Sequence, residues 1–327
     1  MSRTTAVVLN WRTPDDTIRC VESLMALDMD LGIVVIDNAS GDGSLEKMAA
    51  VLAASCHGSG YQFCTAPPQQ AGGDDLARRL YVLGSGRNGG YAFGNNFGAR
   101  VALSDSGCEF VWILNSDTIV PQPGTLEALL RKMDSNPDIG ICGSTVVYME
   151  NPDTVQTFGG GCFDPLWGRS TQYGQGMALP SQIDERGIEA KLCYINGACA
   201  FVRRSYFERV GFMDEGYFLY YEEIDWAFAG RAKFRIGYCA ESIVYHSVGG
   251  SIGTRDAGDR SQLSTFYLTK SRMRFLRRFS PRSLPFAVMD LIREIIHNVR
   301  RNRWRSAKTM LLALFSVENS FSRLRSA

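Results

Sequence analysis

The sequence predicts an α/β fold, a mostly parallel central sheet flanked by helices, with a basic helical appendage at the C-terminal end. Three observations carry this. Short, continuously apolar runs alternate with a segment of helical period, each run ends in polar residues, and the charge changes sign sharply near residue 270. The 327-residue chain is 45% hydrophobic and 21% charged, a mix that excludes disordered, collagen-like and coiled-coil chains.

The first run, Ala6-Val7-Val8-Leu9, ends at Asn10-Trp11, and the second, residues 32–36, ends at Asp37-Asn38. Between them residues 15–27 place Ile18, Val21, Leu24 and Met25 on one helical face. Strand, helix, strand with uninterrupted apolar strands is the pattern of a sheet buried on both faces. Runs at 80–83 and 110–114 extend it, with a helix expected over 95–103. Residues 55–79 read as a loop-rich excursion, and the glycines at 159–161 and 174–176 as a lid or acceptor-facing loop. Ligands of open parallel sheets bind beyond the carboxyl ends of the strands. The polar clusters there are therefore the candidates for chemistry.

Net charge is +1, yet residues 270–327 hold 14 of the 35 Lys and Arg and three of the 34 acids. That leaves +11 on the tail and −10 on the body. Val288, Leu291, Ile292, Ile295, Ile296 and Val299, and then Trp304, Ala307, Leu311, Leu314 and Phe315, follow helical spacing. Basic amphipathic helices suit an anionic membrane surface. The alternative packs these faces on each other or on a second subunit as a homodimer. No nucleic-acid-binding module accompanies the charge, so nucleic acid is not expected as a partner. No apolar run approaches the roughly 20 residues of a membrane span. Nine cysteines without a CxxC pair, and no signal segment before Val7, point to reduced thiols and a cytoplasmic protein, with the tail allowing a place on the inner face of the membrane.

Five clusters follow apolar runs: Asp37 in IDNASGDGS, residues 88–98 (NGGYAFGNNFG), Asn115-Ser116-Asp117, Glu222-Glu223-Ile224-Asp225, and His246 in IVYHSVGGS. Taken singly, each has a plainer reading. Asp37 serves equally as a helix N-cap, the Asn/Gly run as a tight turn, the acids as a solvated helix face, and His246 as a packed histidine. Gly84-Ser-Gly86-Arg-Asn-Gly89 matches GxGxxG, which keeps an NAD(P)-binding oxidoreductase as an alternative. Two strands precede it, however, and Glu109, about 20 residues on, precedes a strand where a ribose-binding acid would end one.

In their order the clusters resemble the family 2 glycosyltransferases of the GT-A fold, above all the bacterial rhamnosyltransferase-like branch. VVLNW resembles the first nucleotide-binding strand and VVIDNASGDGS the second. NGGYAFGNNFG is similar to the N-x-G-[FY]-A-x-G-N-N-x-G segment of that branch, and WILNSDT to its L-N-P-D-T form of the metal-binding DxD motif. The stretch from Asn196 to Trp226 resembles G-A-x-x-x-x-R-R…G-x-F-D-E-x-F-x-x-Y-x-E-[DE]-x-D. The likeness runs from about residue 5 to 250. The chain departs in having Asn115 where many relatives have the first DxD carboxylate, and Glu222-Glu223 where many have Glu-Asp.

The resemblance implies an inverting transferase that moves a sugar, rhamnose in the nearest branch, from a UDP- or dTDP-sugar to a hydroxyl of a glycan or lipid-linked saccharide in cell-surface polysaccharide synthesis. It implies a GT-A domain over 1–262, with 1–120 binding the nucleotide sugar and 121–262 the acceptor, and a tail over 263–327. It makes Glu223 the base, with Glu222 and Asp225 as runners-up. Asn10, Asp37, Arg87, Asn88, Gly90, Asn96, Asn115 and Asp117 become donor-binding, and Asp117 and His246 ligands of Mn²⁺ or Mg²⁺. A catalytically silent protein on the same fold is the remaining alternative.

Overall fold

A computed structural model describes residues 3–67, 76–247 and 261–315. In chain order the first half comprises β1 (Thr4–Asn10), α1 (Pro14–Met25), β2 (Leu31–Asp37), α2 (Ser44–Ser55), β3 (Gln62–Cys64), β4 (Arg79–Gly84), α3 (Tyr91–Leu103) and β5 (Phe110–Asn115). The second half comprises β6 (Thr118–Ile119), α4 (Gly124–Ser135), β7 (Ile139–Tyr148), β8 (Asn151–Phe158), β9 (Gly160–Asp164), β10 (Arg169–Gln172), α5 (Glu185–Glu189), β11 (Tyr194–Ile195), β12 (Cys199–Arg203), α6 (Arg204–Val210), α7 (Glu222–Gly230) and β13 (Arg235–His246). Three helices follow: α8 (Gln262–Phe279), α9 (Leu284–Arg300) and α10 (Trp304–Leu314).

The central sheet has the order β3-β4-β2-β1-β5-β12-β7-β13-β6, with β8 paired to β7. Every ladder from β3 to β5 is parallel. β12 then enters antiparallel between β5 and β7, while β13 runs parallel to β7. The first-half strands are the apolar runs of the sequence, and both faces of β2 are buried throughout. Helix α1 starts on Pro14, with Asp15 and Asp16 in its first turn. Pro needs no amide partner there, and the acids meet the positive end of the helix dipole.

Two glycine-rich stretches depart from expectation. From Tyr91 on, the Asn/Gly run lies inside α3, which starts four residues before the expected 95. A Cβ at Gly94 would stand 2.3 Å from Leu9 Cδ1, and one at Gly98 2.4 Å from Val7 Cγ1, so these glycines let the helix press onto β1. Gly160 and Gly161 belong to β9, in a small sheet of order β10-β9-β11. A Cβ at Gly160 would lie 1.9 Å from Tyr194 O. The stretch 159–161 is thus a tightly packed strand entry and not a lid. Of the 55–79 excursion, β3 adds an edge strand to β4, and 68–75 lie outside the described residues.

The boundary expected at 262 does not separate two cores. Met273, Phe275 and Leu276 of α8 and Ala287 of α9 share one apolar cluster with Tyr217, Tyr221, Ile224 and Ala227. Asp290 of α9 is buried and accepts from Arg272 (2.8 Å) and from Arg169 of β10. Burial works against its charge, but these two guanidiniums hold Asp290 below the usual carboxylate range. Pro281 follows the end of α8 and Pro285 stands in the first turn of α9. Among the described residues no helix is long and apolar enough to cross a membrane.

Candidate active site

The site is assembled at the carboxyl ends of β1, β2, β4 and β5. Parallel register sets Asn10 beside Asp37 and Asp37 beside Gly84. Asp37 is buried; its Oδ1 accepts from Asn10 Nδ2 (2.7 Å) and Ser40 Oγ (2.6 Å), and its Oδ2 from the Ser40 amide (3.0 Å). One acceptor position remains on Oδ2. Asn10 in turn accepts from Thr17 Oγ1 (2.8 Å). Asp37 and Asn10 therefore form the floor of this end of the sheet and shape the 38–43 loop.

The neighbouring loop is pinned to that floor. Asn38 Nδ2 donates to Asn88 Oδ1 (3.2 Å) and to Gly90 O (3.1 Å), and Asn88 Oδ1 also accepts from the Gly90 amide (3.1 Å). Asn88 thus braces the loop. Gly90 has φ +89, and its missing Cβ makes room for the Phe218 carbonyl, which would be 2.1 Å away. Its freedom serves protein packing, where the sequence suggested approach to a nucleotide. Arg87 is exposed, with its guanidinium 4.1 Å from the Phe93 ring centroid. Asn96 faces elsewhere: its amide donates to Met213 O (2.9 Å) and Glu215 Oε1 (3.0 Å) and accepts from the Met213 amide (3.1 Å). Buried and fully spent on the 213–215 segment, it is a brace and not a donor contact.

Asn115 ends β5 and Asp117 follows it; His246 ends β13, whose pairing with β6 sets His246 opposite Thr118. His246 Nε2 lies 3.1 Å from Asp117 Oδ1 and 3.3 Å from Asn115 Nδ2. Both Asp117 and His246 are buried. His246 Nδ1 meets Gln156 Oε1 on β8 at 2.8 Å. With the amide oxygen accepting, the proton sits on Nδ1, and Nε2 accepts from Asn115 Nδ2 with the Asp117 carboxylate oxygen beside it. Two acceptors at that distance suit a cation between them, and imidazole with carboxylate suits Mn²⁺ or a similar divalent ion. Gln156 was not anticipated; nothing in a strand read as 151–158 marks one polar residue over another. Among the described residues no group of three or more His, Cys, Asp or Glu is clustered to hold a metal, so these two side chains would leave most of a metal's coordination sphere to a ligand.

Glu222 and Glu223 open α7. The two residues before them, Tyr220 and Tyr221, are both left-handed, at φ 65° and 70°. Such conformations cost of order 1–3 kcal/mol each in non-glycine residues and concentrate at functional sites. Glu222 is 4% exposed and its Oε2 has no hydrogen-bond partner among the described residues. Burial and the neighbouring Glu223 push its pKa well up. Glu223 is half-buried, and burial lifts it to about 7 against the backbone amides that favour its charge. Asp225 is different. Its Oδ2 accepts from Tyr217 (2.9 Å) and its Oδ1 from Arg278 of α8 (2.7 Å). It clamps α7 to the tail and has no freedom to act as a base, so its place among the catalytic candidates is withdrawn.

Tyr91 links the two halves of the site. Its hydroxyl donates to Gly197 O (2.6 Å), and burial first, then the charges of Glu222 and Glu223, raise its pKa. The adjoining Ala198 carbonyl accepts from the Asn115 amide (3.1 Å) and Thr118 Oγ1 (3.3 Å). Hydrogen bonds thus tie Tyr91 through Gly197–Ala198 to Asn115, beside Asp117 and His246, and Tyr91 feels the charges of the α7 acids. The sequence singled out the stretch holding Tyr91 but not the tyrosine.

Residues 71–211 match the family model described as Glycosyl transferase family 2. That span includes Arg87 to Asp117 and stops short of Glu222 and His246. The low-salt glycan biosynthesis hexosyltransferase Agl10 of Haloferax volcanii is 29% identical over 161 residues, 49% of this chain and 49% of its own. An N-acetylglucosaminyl-diphospho-decaprenol L-rhamnosyltransferase of Mycobacterium tuberculosis is 31% identical over 144 residues, 40% of this chain and 45% of its own. The chain thus spans about half the length of these curated relatives. Among solved structures, the mannosyltransferase PcManGT from Pyrobaculum calidifontis, in complex with GDP-Man and Mn²⁺, aligns over 99% of this chain and 82% of its own, with a TM-score of 0.52 and 16% identity. That likeness shows the fold, which is GT-A. The family 2 match thus lies on residues 71–211, and the chain is similar to a hexosyltransferase and a rhamnosyltransferase, likenesses that favour a transferase over the oxidoreductase alternative.

Proposed function

We propose that the protein is an inverting, divalent-metal-dependent glycosyltransferase that moves a sugar, rhamnose or another hexose, from a UDP- or dTDP-sugar to a hydroxyl of a glycan or lipid-linked saccharide. The observation that carries this reading is the Asp117–His246 pair, with Tyr91, tied to the same end of the sheet through Gly197–Ala198, within electrostatic reach of Glu222 and Glu223. Asp117 and His246 would hold Mn²⁺ or Mg²⁺, which when bound stabilises negative charge on a departing diphosphate. Glu223 accepts the proton of the attacking hydroxyl. As the acceptor oxygen bonds to the anomeric carbon, the bond from that carbon to the diphosphate oxygen breaks and the nucleoside diphosphate leaves with the electron pair. A pKa near 7 matches a base working at neutral pH. Glu222, more deeply buried and favouring its protonated form, donates or orients. Asn10 and Asp37, with Asn88 behind them, shape the nucleotide end.

The tail supports a place on the inner face of an anionic membrane. Phe286, Met289, Ile292 and Ile296 of α9 are each 40–48% exposed, and Arg293 and Arg300 border them on the same helix face. Exposed apolar area framed by arginine is what an interfacial helix presents. Flotation with phosphatidylglycerol vesicles and none with phosphatidylcholine is expected; a sedimentation dimer without flotation would assign this face to a second subunit. Transfer itself is tested by donor-hydrolysis screening across nucleotide sugars with Mn²⁺, Mg²⁺ or chelator. Absence of hydrolysis for every donor and metal would point to the catalytically silent alternative.

A further inference from the structure

The tail helices form a solvent-open cleft of about 1450 Å³ between α8, α9 and α10, bounded on the other side by residues of the 167–171 stretch. Its wall is rich in arginine, and five of these arginines fall into two sets. Arg169 and Arg272 are committed to Asp290, and Arg169 also reaches Glu294 at 3.6 Å. Asp290 and Glu294 are the carboxylates of the wall. Arg293, Arg301 and Arg305 form no ion pair among the described residues; Arg293 lies 5.6 Å from the Trp167 ring centroid. The first turn of α10 also opens here, through Trp304, Arg305 and Ser306, and no side chain caps it. Its amides and the helix dipole favour an anion.

The position of the cleft matters as much as its charge. Tyr221, the strained residue directly before Glu222 and Glu223, lines its inner wall. An anion seated among Arg293, Arg301 and Arg305 would therefore carry whatever is esterified to it along the shoulder of α7. At about 1450 Å³ the volume exceeds what inorganic diphosphate needs and is above the roughly 300–1,000 Å³ of ordinary ligand pockets, which leaves room for a group attached to the diphosphate. Guanidinium forks bind phosphate oxygens two at a time and remain charged at any accessible pH.

We infer that this cleft seats the diphosphate of the acceptor, which is a diphosphate-linked saccharide whose sugar passes Tyr221 toward Glu223. The inference deepens the transferase reading and rests on it for the direction of the sugar. The diphosphate ester is the chemistry recognised; its sources are a lipid carrier or a free diphosphate, and the test separates them.

Farnesyl diphosphate serves as the probe in calorimetric titrations of the full chain, beside inorganic pyrophosphate and UDP or dTDP with Mn²⁺. Farnesyl diphosphate should bind at least tenfold more tightly than pyrophosphate, lose at least tenfold in R301Q/R305Q, and resist displacement by UDP. R293Q, on a different helix, should weaken it as well, with thermal melts confirming that the variants fold. Unchanged binding in both variants, displacement by UDP, or equal binding of pyrophosphate would each overturn the acceptor assignment. Wild-type protein that binds the probe but neither UDP nor dTDP sinks the transferase reading and leaves the anion site standing. Nucleotide binding without probe binding does the reverse.

Discussion

Replacing Glu223 by Gln separates catalysis from stability in opposite directions. Burial lifts this carboxyl from an ordinary 4.5 to about 7, a displacement worth on the order of 3 kcal/mol between its two protonation states. A raised carboxyl pKa means that the folded chain holds the proton more tightly than the unfolded one. The cost of folding with an ionised Glu223 is therefore absent below about pH 4.5, grows as pH rises to about 7, and is constant above. Glutamine carries no such cost. E223Q should melt several degrees above wild type at pH 8 and level with it at pH 4, by calorimetry or circular dichroism. Its transfer rate should fall by at least about a hundredfold, the usual contribution of a general base. Wild-type kcat/KM should rise with pH along a limb of unit slope, reaching about half its plateau at pH 7 and about a tenth at pH 6. An active E223Q, or a wild-type limb centred near pH 4, would refute the assignment of Glu223 as the base.

Other substitutions probe the scaffold. Gln156→Leu removes the partner of His246 Nδ1 and should weaken Mn²⁺ binding by roughly 10–100-fold, read by calorimetry or the Mn²⁺ resonance signal; unchanged affinity would show that Gln156 does not orient the imidazole. Arg278→Ala leaves Asp225 buried with Tyr217 alone. Because Arg278 is itself half exposed, the expected loss is about 2 kcal/mol in chemical unfolding, below that of a fully buried pair, and no loss would mean that α8 does not clamp α7. Gly90→Ala must fit a Cβ into the Phe218 carbonyl at φ +89 and should cost more than about 2 kcal/mol; a wild-type melting temperature would contradict the close approach.

Much of the frame was legible in the sequence because it depends on local composition. Residues 6–9, 32–36, 80–83 and 110–114 are strands because uninterrupted apolar runs can bury both faces only in a sheet interior. Helix α1 was visible through its period. The run at 88–98 misled, since glycines normally break helices, whereas Gly94 and Gly98 are needed where α3 meets Leu9 and Val7. The tail was legible as basic and amphipathic, but not as part of the core that holds α7.

For the site, it was the family resemblance of the ordered motifs that singled out Asp117, Glu223 and His246. Composition and spacing by themselves place each only in a polar cluster after an apolar run. They cannot tell which acid of Glu222-Glu223-Ile224-Asp225 is unencumbered. That depends on Arg278, 53 positions away, which claims Asp225. Gln156 reaches His246 across 90 positions, and Tyr91 is placed between the acids and Gly197 by the seating of α3 on β1. Hydrophobic period is written locally, so sequence alone determines the strands and the polar residues at their ends. Partnership among polar atoms depends on approach to within about 3 Å, and only the folded chain decides it.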